Sequence, residues 1–259
     1  HGNNELPFDY LVYLIGMDWG EKLGVIYLLS SSKDPSKELI VKTGTSDREN
    51  PLLYSITDLY ETAHFNEREV FAMYGIRIIN NPDMRRFLLN DAWVGFPMRK
   101  DYDANPELNP VSIISREMVD TAPRIMETAD GLQEEIVNIF EPDDYIINIG
   151  PQHPSTHGVM HFRTALDGEI VKKIDVHSGY IHRGIEKLCE GMTYPQTLHF
   201  TDRLDYLSAN INRHALCMCV EKAGGIEVPE RAQYIRTIMD ELNRISSHLL
   251  AWSAQTNDL

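Results

Sequence analysis

Three apolar runs decide the reading of the chain: FDYLVYLIGMDW (residues 8–19), LGVIYLLSSS (23–32) and ELIVKTGTS (38–46). Gly20-Glu21 and Lys33-Asp34-Pro35 separate them, turn residues with no room for a crossover helix. Short β-branched and aromatic runs joined in this way predict an antiparallel meander. From Leu59 to Met73 the pattern becomes helical, with Gly75 well placed as the C-cap. Residues 1–103 therefore read as a small α+β domain with an antiparallel sheet.

Outward from this domain the composition shifts. Between Asp101 and Asp144 stand twelve acidic residues against Arg116 and Arg124, which accounts for two thirds of the net charge of -15. Asn105-Pro106, Asn109-Pro110 and Pro123 interrupt the same stretch, so 104–144 is expected to be an acidic linker. Strand signals resume at Tyr145 with YIINIG, and Asp167-Gly168 divides VMHFRTALDGEIVKKIDV into the two arms of a hairpin. Two helices follow. The first is expected from about Asp202 to Lys222, capped by Thr201 or Asp202 and ended by Gly224-Gly225. The second has Pro229 in its first turn and an apolar stripe at Ile235, Ile238, Met239, Leu242, Ile245 and Leu249. Residues 145–259 thus read as a β-sheet segment leading into the first helices of an α-helical bundle, and the whole chain as α+β.

Composition narrows the function classes. With 42% apolar and 24% charged residues the chain is neither collagenous nor wholly disordered. It contains no run of about 20 apolar residues, and HGNNELPFDY lacks the basic and apolar regions of a signal peptide. The acidic balance argues against wrapping nucleic-acid phosphate. Cys189, Cys217 and Cys219 lack CxxC spacing, which suits a reducing cytoplasm and indicates no thiolate metal site.

Eight of the ten histidines lie after Tyr145, which directs attention there. His153 and His157 fall in GPQHPSTHG, where Pro154 disfavours a helix and occupies the place of a metalloprotease glutamate. A polar loop between strands is the expectation. HSGYIHRGIEK (177–187) and DRLDY (202–206) supply Arg183 and Tyr206, the latter expected one turn into a helix. In the first domain, Glu67, Arg68 and Glu69 suit salt bridges, while Arg85-Arg86 and Arg99-Lys100 suit carboxylates on a partner. That domain shows no nucleophile, acid–base pair or phosphate loop and reads as an interaction module.

Together these strings resemble the fused C/D subunits of the proton-pumping NADH-quinone oxidoreductases, the bacterial form of respiratory complex I. EREVFAMYGI and NPDMRRFLLNDAWVGFPMRKDY resemble the 30-kDa (C) part. NIGPQHPSTHGVM, LDGE, HSGYIHRGIEK, TYPQ, DRLDY, VEKAGGIEVPERAQYIR and ELNRISSHLL resemble the opening of the 49-kDa (D) part. The resemblance starts inside the C part and stops inside the D part, so a chain truncated at both ends is expected. Ala72, Asn81 and Ser178 depart from the family pattern, which has aspartate, histidine and an aliphatic residue there.

The resemblance implies a peripheral-arm subunit on the cytoplasmic side of the bacterial inner membrane, docked to the B, I and membrane H subunits. Quinone is the implied substrate. It also implies that His157 and Tyr206 line the quinone pocket, that Asp258 pairs with the histidine, and that Arg183 packs near the terminal iron-sulfur cluster of the adjacent B subunit. His153 is implied as a neighbour in the same loop. The chain itself has no dinucleotide fingerprint and no cluster ligands, so no cofactor is expected to be held by it alone, and the isolated fragment is expected to be inactive.

Two other readings are set against this one. The large subunit of a formate-hydrogenlyase-type nickel-iron hydrogenase requires a thiol pair after the arginine that Arg183 matches, and Ile185 and Leu188 stand in those places. A docking scaffold without turnover requires no pocket at all.

Overall fold

The computed structural model describes residues 7–90, 93–103, 120–152 and 159–258, of Asp258 the backbone alone. It has fifteen elements among these residues, mixed helix and strand, and the α+β class is the observed one. They group into two compact units, residues 1–182 and 183–259.

The first unit opens with the expected meander. β1 (Tyr10–Asp18), β2 (Leu23–Ser30) and β3 (Glu38–Thr45) pair antiparallel in sequence order. Alternation, with a register shift between Leu11 and Tyr13, puts Leu11, Leu14, Val25 and Tyr27 on one face, against α1 (Ala63–Tyr74). Gly75 closes α1 in the left-handed conformation and donates its N–H to Phe71 O at 2.8 Å. Leu23 and Ile76 are fully enclosed in this core. Each such side chain contributes about 1.5–3 kcal/mol by leaving water.

Between the meander and the sheet expected from Tyr145 lies a further sheet. β4 (Leu52–Tyr54), β5 (Arg77–Ile79), β6 (Thr121–Thr128) and β7 (Gly131–Asn138) form it in that order, parallel from β4 to β6 and antiparallel from β6 to β7. The linker reading of 104–144 is therefore corrected over 120–144, while 104–119 lie outside the described residues. The cause is local. Ala122, Ile125, Val137, Ile139 and Phe140 supply apolar contacts that the acidic composition masked, and Arg77 and Arg124 pair with Glu134 and Glu135.

The third sheet, β8 (Tyr145–Ile149), β9 (His161–Asp167) and β10 (Ile170–His177), contains the predicted hairpin, with Gly168 at φ 61 in its turn. It groups with the first unit rather than with the helices after it, so the expected division at 145 differs from the observed grouping. Ala165 of β9 shares a core with Ala122, Ile139 and Phe140, and Arg85 pairs with Asp175 of β10.

The second unit is helical: α2 (Ile185–Glu190), α3 (Tyr194–Thr201), α4 (Ala209–Gly224) and α5 (Glu230–Asp258). In α3 the Thr193 N–H donates to Gln196 Oε1 at 3.0 Å, a reciprocal cap with Pro195 in the first turn. The helix expected from Asp202 begins only at Ala209, because Asp202 is held by Arg213 and a turn intervenes. Gly225 ends it as anticipated. α4 and α5 meet through polar groups. Arg236 bonds Glu221 at 2.7 and 2.9 Å, His214 Nδ1 lies 2.5 Å from Asp240 Oδ2, and the Asn210 N–H donates to Asn243 Oδ1 at 3.0 Å. Residues 236, 240 and 243 share one face of α5, at spacings of four and three. The predicted apolar stripe lies elsewhere on that helix, and its six side chains are between 47% and 63% exposed.

Candidate functional site

The site residues expected from sequence fall in different parts of the chain. His153 and His157 lie outside the described residues. Asp258 ends α5, and its side chain is outside the description. Tyr206 stands in the turn between α3 and α4, not one turn into a helix, and its side chain is 75% exposed. The displaced start of α4 explains that correction. Arg183 is exposed at the first position of the second unit, one residue before Gly184, the left-handed N-cap of α2. Among the described residues no hydrogen bond or ion pair joins Arg183 to Tyr206.

A constellation that sequence reading did not assemble lies in the first unit. Asp175, on β10, is 5% exposed. It accepts two hydrogen bonds from Arg85, Nη2 to Oδ1 at 2.7 Å and Nη1 to Oδ2 at 3.2 Å. His177 Nε2 lies 2.7 Å from its Oδ2, and Arg163 Nη1 is 3.7 Å away. Arg85 also bonds Asp83, at 2.6 Å from Nη2 to Oδ2, and Asp83 pairs with Arg68 at 3.3 Å. Arg163 pairs further with Asp120. Burial alone raises the Asp175 carboxyl, but the bonds to His177 and Arg85 and the Arg85 charge outweigh it and hold the group well below the ordinary 3.8. A buried carboxylate is stable here because guanidinium groups surround it.

Arg85 was read as a cation for a partner's carboxylate, and its carboxylates are instead Asp83 and Asp175 of the same chain. Arg86 donates to Ala72 O at 3.1 Å, and Arg99 to Tyr74 O at 2.6 Å and Arg48 O at 3.0 Å. The available signal was the spacing Lys173, Asp175, His177, three polar residues on one strand face, opposite Arg163 in the hairpin.

Glu67 behaves differently. It is 2% exposed, and burial pushes its carboxyl up despite bonds from Ile56 N–H, Asn81 and Ser55. A cavity of about 530 Å³ beside α1, lined in part by Arg48, Phe71, Phe96, Arg99 and Asp101, contains none of the quinone-site residues that the resemblance implies. Among the described residues no group of three histidine, cysteine or carboxylate side chains is arranged to hold a metal ion. Nor is any described helix long and apolar enough to cross a membrane.

Comparison with known proteins adds a family resemblance. The model of the respiratory-chain NADH dehydrogenase 30 Kd subunit matches residues 1–107. The NADH-quinone oxidoreductase C/D subunit of Phocaeicola vulgatus is 58% identical over 253 residues, covering 97% of this chain and 48% of that protein. Its counterpart in Bacteroides thetaiotaomicron is 53% identical, covering 99% of this chain and 50% of its own length. The NADH-quinone oxidoreductase D subunit of Dehalococcoides mccartyi is 59% identical over 120 residues, 46% of this chain and 33% of that protein. The chain spans about half the length of the curated C/D relatives it matches first. Residues 1–107 thus match the 30-kDa subunit model, and over nearly its whole length the chain is similar to NADH-quinone oxidoreductase C/D subunits.

Proposed function

We propose that this chain is the part of a complex I C/D subunit that helps to form the quinone-reduction pocket, in a machine coupled to proton translocation. The observation that carries this reading is its similarity over 97% of its length to a protein named as that subunit. The proposed setting is peripheral, on the cytoplasmic side of the bacterial inner membrane, against the B, I and H subunits. An iron-sulfur cluster held by the adjacent B subunit would supply the electrons for quinone, and Arg183 would be its neighbour from this chain.

Quinone reduction takes up two electrons and two protons, so the headgroup oxygens need donors whose protonation changes within the site. A tyrosine hydroxyl with an ordinary pKa of about 10 and an imidazole near 6.5 suit that task. In this reading Tyr206 donates a hydrogen bond to one quinone carbonyl. His157, kept oriented and basic by Asp258, delivers the other proton, and His153 shapes the same loop. The exposure of Tyr206 in this chain agrees with a hydroxyl that meets its partner elsewhere in the assembly.

Quinone reductase activity of intact complexes carrying Tyr206→Phe or His157→Ala tests the proposal. Each is expected to lower kcat/KM by about 100- to 10,000-fold, the range of a lost general acid. Activity near wild type in both variants refutes it. Nickel and hydrogen evolution in the purified complex would transfer the chain to the hydrogenase branch.

A further inference from the structure

The segment that leads from β10 to Arg183 is held on two sides by one loop of the first domain. On one side Asp175 joins His177 to Arg85, as described above. On the other, Gly179 packs backbone to backbone against Leu88, three residues beyond Arg85. A Cβ on Gly179 would collide with the Leu88 carbonyl group and lie 2.8 Å from Leu88 Cα, and Gly179 is at φ 115, so a side chain is excluded by both space and conformation. Leu88 itself sits at φ 67, a left-handed conformation that costs a leucine about 1–2 kcal/mol. The His182 N–H closes the turn on Gly179 O at 3.1 Å, and Arg183 is the next residue.

Such a construction exceeds what burial requires. Apolar residues of similar volume fill such a place at equal or lower free energy than a buried charge cluster. Strained backbone persists where the surroundings over-determine it. Here both devices act on the same short stretch, residues 177–182.

We propose that Asp175 and Gly179 are positioning residues for quinone reduction, fixing segment 177–183 on the 83–89 loop so that Arg183 is presented in one geometry. The inference rests on the reading that Arg183 borders the partner's iron-sulfur cluster, next to which the quinone pocket lies. It makes the C-like domain a template for a D-like site segment. A positioning role acts on how well quinone is seated more than on the proton chemistry, and so separates KM from kcat.

The test uses the intact enzyme with Gly179→Ala and Asp175→Asn. Both are expected to raise the quinone KM about tenfold with kcat within about twofold of wild type. Amide hydrogen exchange at residues 179–183 should accelerate while that of β9 is unchanged. Should Asp175→Asn fail to assemble, Gly179→Ala decides alone, since it leaves the charge cluster in place. A KM within about twofold of wild type in Gly179→Ala overturns the proposal, whatever happens to stability. Tyr206→Phe in the same assay keeps the two readings apart. Wild-type kinetics there fail the site assignment, whereas an impaired Tyr206→Phe beside an unaffected Gly179→Ala fails only the positioning role.

Discussion

In residues 1–182 the apolar side chains of β1, β2 and α1 face one another, and Leu23, Val25, Val70 and Ile76 are all but sealed from water. In residues 183–259 the longest helix does the reverse. Its face toward α4 carries Arg236, Asp240 and Asn243, while Leu242, Leu249 and Trp252 are 56%, 63% and 69% exposed. The first unit contains its own core. The second is held within this chain by hydrogen bonds and ion pairs, with its apolar stripe uncovered. Amphipathic periodicity states that a face wants burial and says nothing about what buries it.

The sharpest way to break this comparison is to remove the same side chain from each unit. Leu23→Ala empties a fully enclosed place and should cost about 3–5 kcal/mol. Leu242→Ala removes a half-exposed side chain and should cost no more than about 0.5 kcal/mol in the 259-residue chain. Denaturant titration followed by hydrogen exchange in each unit separates the two. An equal cost at both positions would mean that the stripe is buried in solution, and the contrast would collapse.

How far the sequence disclosed this follows the kind of force involved. The meander, α1 with its Gly75 cap, the Asp167-Gly168 hairpin and the glycine end of α4 were legible, because turn chemistry and hydrophobic period are local. β6 and β7 were not. The pairing of β6 with β5 joins residues more than forty positions apart, and the acidic surroundings that suggested a linker lie on exposed faces. The Asp175 cluster was invisible for a related reason. Asp83, Arg85, Arg163 and His177 are ordinary surface types in sequence, and only tertiary contact converts them into a buried network. Of the expected site, the family resemblance supplied the residues, and for Tyr206 the structure changed the setting from helix to turn.

The next prediction sharpens the comparison inside the first unit. Asp175→Asn removes a buried charge from among guanidinium groups and should destabilise by about 3 kcal/mol at pH 7. The folded carboxyl of Asp175 is held below its ordinary 3.8. Its stabilisation is therefore complete above about pH 5 and is lost as pH falls through the folded value. The gap between wild type and variant should be level from about pH 5 to 8 and narrow below. A gap that widens in acid contradicts the assignment of charge.

Glu67 should show the opposite slope. Burial lifts its folded pKa above the ordinary 4.5, so wild type gains stability as pH falls through the raised value toward 4.5. Glu67→Gln cannot make that gain, and it disturbs the bonds from Ser55 and Asn81, at about 1–2 kcal/mol. Its deficit should therefore grow on acidification where that of Asp175→Asn shrinks. Urea midpoints measured across about pH 4 to 7 in the two variants would reveal crossing trends, and parallel trends would place both carboxylates in the same electrostatic setting.

The smallest expected effect falls in the second unit and bears on what joins α4 to α5. Arg236 and Glu221 form a bidentate pair whose side chains are 32% and 18% exposed, so solvent screens much of their attraction. Arg236→Ala should cost only about 0.5–1 kcal/mol at low salt, and less at about 1 M salt, where the Debye length falls to roughly 3 Å. Thermal unfolding of helix α5 by far-ultraviolet circular dichroism measures it. A loss above about 2 kcal/mol that persists in high salt would mean that the seam is shielded from water. In that case the polar contacts, and not an apolar cover, would be the second unit's core.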